Sequence, residues 1–173
     1  MPFSPRSSVP LVDTSLHPLV RARPALIATD LGFRAFTERN QPRYACYAKA
    51  RLGRRAAAPA AAAVRATLSF ARRHWNWLLS QPCLAADVWE ELRFQVSRQI
   101  DTVPLQNTDV ATLYFGLPET SADSVLLCRR LGLDVGEAAD LMGLEPPAVE
   151  AGLGAARRAR PYLFEGEALL TYP

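Results

Sequence analysis

The feature of this chain that most constrains its fold is a series of closely spaced helix signals in residues 132–160. Asp134 followed by Glu137 matches a capping box, in which each side chain accepts from the other residue's backbone N–H at a helix start. Gly143 can take the left-handed conformation that ends a helix, and Pro146 suits a first helical turn, where no hydrogen bond is lost. The spacing predicts two short helices joined by a three-residue turn.

Helical signals extend over the rest of the chain. Apolar residues recur on one face at helical spacing in residues 59–80 and 84–100, and caps and glycine stops delimit further helices at 31–53 and 120–131. No segment shows the pattern of a strand. The sequence therefore predicts an all-α fold, and its 173 residues fit one domain or two small ones.

We predict two small helical domains, of which the C-terminal one is a helix-turn-helix. The first 30 residues contain five prolines and no sustained period, which predicts an extended arm. A short linker is expected where the sequence reads DTVPLQNTDV. The predicted segments are the arm 1–30, the N-terminal domain 31–100, the linker 101–112, the C-terminal domain 113–162 and a tail 163–173.

Five single residues carry local expectations. We expect Asp30 to cap the first helix, Pro42 to kink or restart it, and Gly53 to end it in a left-handed conformation. Either Thr120 or Ser121 is expected to cap the helix that follows the linker.

The cysteines and histidines give no sign of a metal or catalytic site. Cys46, Cys83 and Cys128 are far apart, and the two histidines, His17 and His74, are not clustered with them. There is no phosphate-binding glycine loop and no G-x-S-x-G nucleophile motif. The sequence thus disfavours an enzyme, and we expect no catalytic residue, no metal and no cofactor.

The chain has no apolar run long enough to span a bilayer, so no membrane partner is expected. Its start, MPFSPRSSVP, has prolines where a signal peptide needs an apolar core. These features predict a cytoplasmic protein.

Charge is segregated along the chain although the total is only +3. Residues 31–73 carry ten basic groups and one acid, a sum of +9, whereas residues 87–150 carry twelve acids and four arginines, a sum of −8. Such a split predicts two halves with different electrostatic roles.

The C-terminal part carries a recognisable family pattern. An LPE start is followed by an apolar helix and by residues at matching spacing in the helix pair, namely Leu117-Pro118-Glu119, Val125-Leu126-Leu127, Leu133, Glu137, Ala139, Gly143, Val149, Leu153, Arg157 and Ala159. This pattern resembles the C-terminal domain of bacterial extracytoplasmic-function sigma factors. A weaker likeness covers residues 33–100, from Phe33 through Arg51-Leu52-Gly53 and Val64 to Ile100, and it resembles the N-terminal domain of the same family.

The resemblance implies a DNA-binding transcription regulator that recognises promoters, with or without RNA polymerase. The second helix of the pair would lie on the major groove. Its implied DNA-contacting residues are Pro147, Ala148, Glu150, Ala151, Gly154, Arg157, Arg158 and Arg160. Basic residues of the N-terminal domain give a possible nucleic-acid or polymerase contact, or equally a solvated helix face: Arg51, Arg54, Arg55, Arg65, Arg72 and Arg73.

The chain departs from the family at two charged sites. The family's acidic clamp-docking motif is replaced by Ala60-Ala61-Ala62-Ala63-Val64-Arg65-Ala66, and the usual Lys-Ser-Arg of the recognition helix is replaced by Glu150-Ala151-Gly152. An alternative is therefore a sigma-like scaffold that has been repurposed for contact with another protein and does not bind DNA. The +9 and −8 segments would then pack on each other or drive self-association.

Two smaller alternatives also stay open. The helix pair of residues 132–160 can be a plain helical hairpin, which needs no particular residue at 139 or 143. Trp75, Trp77 and Trp89 can stack on unpaired bases or pack in the core, and the apolar stripes favour the core for Trp75 and Trp89.

Overall fold

The computed structural model describes residues 18–53, 55–100 and 108–164, with the side chains of 29–53, 55–100, 110–162 and 164. The all-α prediction is confirmed for these residues, which contain no strand. The helices are α1 Pro18–Leu52, α2 Ala57–Arg73, α3 Trp75–Leu78, α4 Leu84–Ile100, α5 Thr108–Gly116, α6 Glu119–Val125, α7 Val135–Met142 and α8 Pro146–Ala159. A π-helical turn, Leu126–Arg130, continues α6, and a 3₁₀ turn, Pro161–Phe164, follows α8.

The first helix is longer than predicted. It begins at Pro18, so the part of the predicted extended arm that the structure describes, residues 18–30, is helical. Proline at the first helical position costs no hydrogen bond, whereas Pro24 and Pro42 lie inside α1 without ending it. Asp30 is therefore no cap, and its carboxylate instead accepts from Arg72 Nη2 of α2 at 3.1 Å.

Three further boundaries differ from the predictions. The helix expected over 59–80 breaks at His74, whose backbone (φ −107°, ψ 15°) separates α2 from α3. The end of the predicted linker, residues 108–112, belongs to α5. Neither Thr120 nor Ser121 is a cap, because the extended Pro118 already precedes Glu119, the first residue of α6.

Other local predictions are confirmed. Helix α4 covers the predicted residues 84–100. Gly53 ends α1 with a φ of 93°. Residues 1–17, Arg54, 101–107 and 165–173, with the predictions made for them, lie outside the described residues.

The buried apolar side chains form one connected cluster that includes residues of both predicted domains. At its centre the rings of Tyr44 and Tyr47 from α1 lie against Trp89 of α4, with centroids 6.3 and 4.5 Å apart. Trp75 is buried against Phe33. Of the three tryptophans, Trp75 and Trp89 are thus core residues, as the apolar stripes predicted, and Trp77 is 51% exposed.

No helix within the described ranges has both the length and the apolar character needed to cross a bilayer.

Candidate nucleic-acid interface

The helix pair begins with the predicted capping box. Asp134 Oδ1 accepts from the Glu137 backbone N–H at 2.6 Å, and Glu137 Oε2 accepts from the Asp134 backbone N–H at 3.2 Å. At the other end of α7, Gly143 has a φ of 66° and a ψ of 37°, as the left-handed turn prediction requires. The Leu144 N–H then donates to the Ala139 carbonyl at 3.0 Å, which closes the turn.

Gly143 is also where the turn meets the N-terminal half of the molecule. A Cβ atom at this position would lie 2.6 Å from Cα of Ala86, in the first turn of α4. The neighbouring Cys83 Sγ lies 3.4 Å from the Gly143 carbonyl oxygen. Gly143 is therefore required for two reasons, its left-handed backbone conformation and the close approach of α4.

The inner face of α8 consists of small residues that pack on α6. Val149, Gly152 and Ala156 are buried. A Cβ atom at Gly152 would lie 2.8 Å from Ser124 Oγ and 3.4 Å from Ser121 Cα. The position at which the resembled family carries an arginine is thus a packing position in this chain.

The outer face of the first half of α8 is exposed and carries no cation. Pro147, Ala148, Glu150 and Ala151 are exposed, and the preceding Glu145 is exposed as well. The four of these that belong to the implied DNA-contacting set, at positions 147, 148, 150 and 151, therefore face solvent. The only charges on this part of the surface, those of Glu145 and Glu150, are negative. Gly154, farther along α8, is half-buried.

Arginines gather where α8 ends. We call Arg129, Arg130, Arg157, Arg158 and Arg160 the arginine end; the first four are exposed and Arg160 is half-buried. The Cζ atoms of Arg129 and Arg157 lie 5.2 and 5.1 Å from the centroid of the same ring, that of Phe164. The π-helical turn and α8 thereby bring their basic groups to one place.

The basic residues of the N-terminal half do not share one environment. Arg51 is half-buried, with Cζ 3.2 Å from the ring centroid of Tyr114. Arg72 pairs with Asp30 and lies over Phe33. The remaining described members of the predicted set are exposed: Arg55, Arg65 and Arg73.

Other cations of α1 pair with acids of α7. Arg43 Nη2 lies 2.8 Å from Glu137 Oε1, and Arg39 Nη2 lies 2.8 Å from Asp140 Oδ2. The +9 and −8 segments found in the sequence therefore meet inside one molecule.

The core contains a cluster of buried polar side chains centred on an aspartate. Asp123 of α6 is fully buried, and its Oδ1 accepts from the hydroxyl of Tyr47 at 2.9 Å and from the hydroxyl of Tyr114. Its Oδ2 faces Arg93 Nη1 of α4 at 3.9 Å. The cluster joins α1, α4, α5 and α6.

Burial governs the protonation of this cluster. Desolvation raises the pKa of Asp123, against the lowering effect of the two tyrosine hydrogen bonds and of Arg93 and Arg51. Desolvation, together with the Asp123 charge, also raises the pKa values of Tyr47 and Tyr114 well above their usual range. The cluster is buried. Among the described residues, no group of three or more His, Cys, Asp or Glu side chains could hold a metal ion.

Several residues of interest were not predicted from the sequence. Arg129 and Arg130 were not among the predicted contacts, although a pair of arginines just before Gly132 is visible in the sequence. Phe115 and Tyr162, two aromatic residues that were not singled out, are 93% and 53% exposed. Asp123 had one usable signal, a lone acid in the otherwise small and apolar stretch SADSVLL.

No protein-family model matches the chain, and neither the curated proteins nor the solved structures contain a match.

Proposed function

We propose that this protein is a sigma-like regulator of transcription that binds DNA through the arginine end. The observation that carries the proposal is the convergence of Arg129 and Arg157 on the Phe164 ring, beside the exposed Arg158. Clustered arginines on one surface are the usual electrostatic requirement for contact with a phosphate backbone.

The charge along α8 decides which part of it faces the phosphates. Glu145 and Glu150 are exposed at its start and repel a phosphate, whereas Arg157 and Arg158 are exposed at its end. We therefore propose that the end of α8 lies nearest the DNA backbone. Of the implied contact residues, Pro147, Ala148 and Ala151 add no charge, and their part is limited to apolar contact.

The direct test is binding to a labelled duplex of mixed sequence at low salt, measured by fluorescence anisotropy. We expect the Arg157→Ala, Arg158→Ala double variant to bind about tenfold or more weakly, since each lost phosphate contact removes a released counterion. The loss should be similar for different sequences, because phosphate contacts carry no sequence information.

The matched control exchanges two other exposed arginines, Arg65→Ala and Arg73→Ala in α2. It changes the net charge by the same amount but leaves the arginine end intact. Equal weakening by the two double variants would show either an effect of net charge or contact at Arg65 and Arg73 as well, and both results contradict the arginine end as the particular site.

A role of RNA polymerase is a separate part of the proposal. The stretch 60–66 has no acid, and Ala60, Ala63 and Val64 are buried, so the clamp-docking charges of the family have no counterpart on this face of α2. We propose DNA binding that does not depend on that contact. Duplex binding that is detected only after RNA polymerase is added would contradict this.

The exposed start of α8 supports a second candidate function, contact with another protein. Pro147, Ala148 and Ala151 form a small apolar strip flanked by Glu145 and Glu150, which suits a protein surface better than a phosphate backbone. Glu145→Gln with Glu150→Gln distinguishes the two. Tighter duplex binding supports an approach of this strip to DNA, and unchanged duplex binding with loss of a protein partner supports the second candidate.

A further inference from the structure

Two exposed aromatic side chains lie next to the arginine end. Phe115 is 93% exposed at the end of α5, and Tyr162 is 53% exposed in the turn after α8. Arg160 lies near both segments: its Nη1 donates to the Tyr162 hydroxyl at 2.9 Å, and its guanidinium occupies the space where a side chain at Gly116, the residue after Phe115, would stand. The segments that carry the two exposed rings therefore both approach Arg160, one member of the arginine end.

A DNA duplex alone does not explain the two exposed rings. The faces of paired bases are covered by their neighbours, so they offer nothing for an exposed ring to stack on. Unpaired bases have free faces, and proteins that hold single strands combine aromatic stacking with cations along the backbone. A ring that is almost fully exposed, as Phe115 is, also has little packing role within the described molecule.

We propose that the arginine end, Phe115 and Tyr162 together bind a single strand of nucleic acid that leaves a duplex. In this arrangement the exposed arginines hold phosphates and the two rings stack on unpaired bases. The proposal rests on the proposed function, because the duplex part would lie on the same arginine end. An acidic peptide would satisfy the arginines but would leave the rings without a stacking partner.

The test compares three labelled ligands: a blunt duplex, the same duplex with an oligothymidine overhang, and oligothymidine alone. We expect the overhang to raise affinity about tenfold or more over the blunt duplex, since each stacked base contributes substantially to binding. Phe115→Ala alone should reduce this gain and leave binding to the blunt duplex unchanged, and the addition of Tyr162→Ala should remove the rest of the gain.

The matched control is Phe94→Ala. Phe94 is 57% exposed on α4 and has its own arginine, Arg98, with Cζ 5.9 Å from the ring centroid. Its removal should leave the gain from the overhang intact, because it lies outside the proposed surface.

The outcomes separate the two proposals. Equal affinity for blunt and overhanging duplexes, or a gain that survives the double aromatic variant, overturns the single-strand proposal alone. Binding to none of the three ligands overturns this proposal and the proposed function together. If polyglutamate displaces oligothymidine as well as an equal charge of unlabelled oligothymidine does, the surface recognises charge only and the single-strand proposal is overturned.

Discussion

At the scale of single residues, two of the glycines with positive φ are required for different reasons, which the sequence alone does not distinguish. Gly132 and Gly143 have φ values of 73° and 66°. Apart from its two chain neighbours, no described residue has an atom within 4 Å of a Cβ placed on Gly132, whereas a Cβ on Gly143 would meet the backbone of Ala86. Gly132 is needed only for its backbone conformation. Gly143 is needed for its conformation and also because a side chain there would prevent the helix pair from packing closely on α4.

We predict that Gly132→Ala and Gly143→Ala differ sharply in stability. Gly132→Ala should lower the free energy of unfolding by about 1 kcal/mol, the cost of a left-handed alanine. Gly143→Ala should cost roughly 3 kcal/mol or more, because overpacking adds to that strain and the opposing atoms are backbone. Urea titration of both variants measures the difference. Equal losses would show that α4 does not close on the turn.

The protonation of the buried Asp123 contributes to stability. Its pKa is raised by burial, so the folded state holds a proton that the unfolded state has already released. The stabilisation that this proton gives is complete at low pH and is lost as the pH rises through the folded-state pKa.

We predict that Asp123→Asn becomes more favourable relative to wild type as the pH rises. The amide stays neutral, and its oxygen can still accept from the hydroxyls of Tyr47 and Tyr114. The attraction between Arg93 and the ionised carboxylate lowers the folded-state pKa of Asp123 but does not cancel the effect of burial, so the trend keeps this sign. Free energies of unfolding between about pH 4.5 and pH 8 measure the trend. A wild-type-to-variant difference that stays constant over this range would contradict a raised pKa.

How far these residues could be foreseen depends on the range of the interactions. The capping box and the left-handed Gly143 are local, so the sequence spacing predicted them correctly. Asp123 owes its role to Tyr47, which lies 76 residues earlier in the chain, and no local pattern reports such a contact. The same holds for Arg129 and Arg157, which meet only through folding.

At the scale of elements, α8 combines an inner face of small residues with an outer face of mixed charge. Gly152 faces Ser121 and Ser124 of α6, whereas a Cβ on Gly154 would meet only the flexible end of Arg158, at 3.5 Å. Both glycines lower the intrinsic stability of the helix. Only the first is required by the packing, because the Ser124 hydroxyl is held by the Thr120 carbonyl at 2.7 Å.

We predict opposite effects for alanine at these two positions of one helix. Gly154→Ala should raise the free energy of unfolding by about 0.5–1 kcal/mol through helix propensity. Gly152→Ala should give no gain, and a loss of about 1 kcal/mol is expected because α6 and α8 must separate slightly. Thermal denaturation of the two variants compares them directly. A similar rise for both would contradict the close crossing of α6 and α8.

The helix boundaries show where sequence reasoning fails at this scale. The prolines of residues 1–30 suggested an extended arm, but the described residues 18–30 belong to α1, which runs through Pro24 and continues past Pro42 without a restart. A helix can tolerate the loss of single hydrogen bonds when its other residues pack against the rest of the protein. Helix α1 packs on α2, and the local sequence pattern does not show this contact. Helix α4 has regularly spaced apolar residues and follows a clear break in the helical pattern, and it was predicted correctly.

At the scale of the whole molecule, opposite charges join the basic and acidic halves. Glu137 both completes the capping box of α7 and pairs with Arg43 of α1. The second α1–α7 pair, Arg39 with Asp140, is more exposed, at 64% and 63% against 30% and 44%. The charge pattern of the sequence predicted the two charged halves and offered their packing on each other as one alternative, and these two ion pairs join them.

We predict a coupling energy of about 0.5–1 kcal/mol for Arg43 and Glu137 in a double-mutant cycle, in the upper part of the range for partly exposed pairs. Glu137→Gln keeps the capping box and Arg43→Ala removes the cation, so the cycle isolates the ion pair. The Arg39–Asp140 pair is the control and should give less. Zero coupling for Arg43 and Glu137 at low salt would show that the pair does not hold α1 to α7.

The central claim, that the arginine end binds a phosphate backbone, is tested most directly by the salt dependence of duplex binding. For the wild type we predict an affinity that falls steeply with salt on a double-logarithmic plot. For the Arg157→Ala, Arg158→Ala variant the slope should be shallower by about one to two, since each neutralised phosphate contributes roughly 0.9. The same slope for both proteins, or no binding of the wild type at the lowest salt concentration, would contradict the claim.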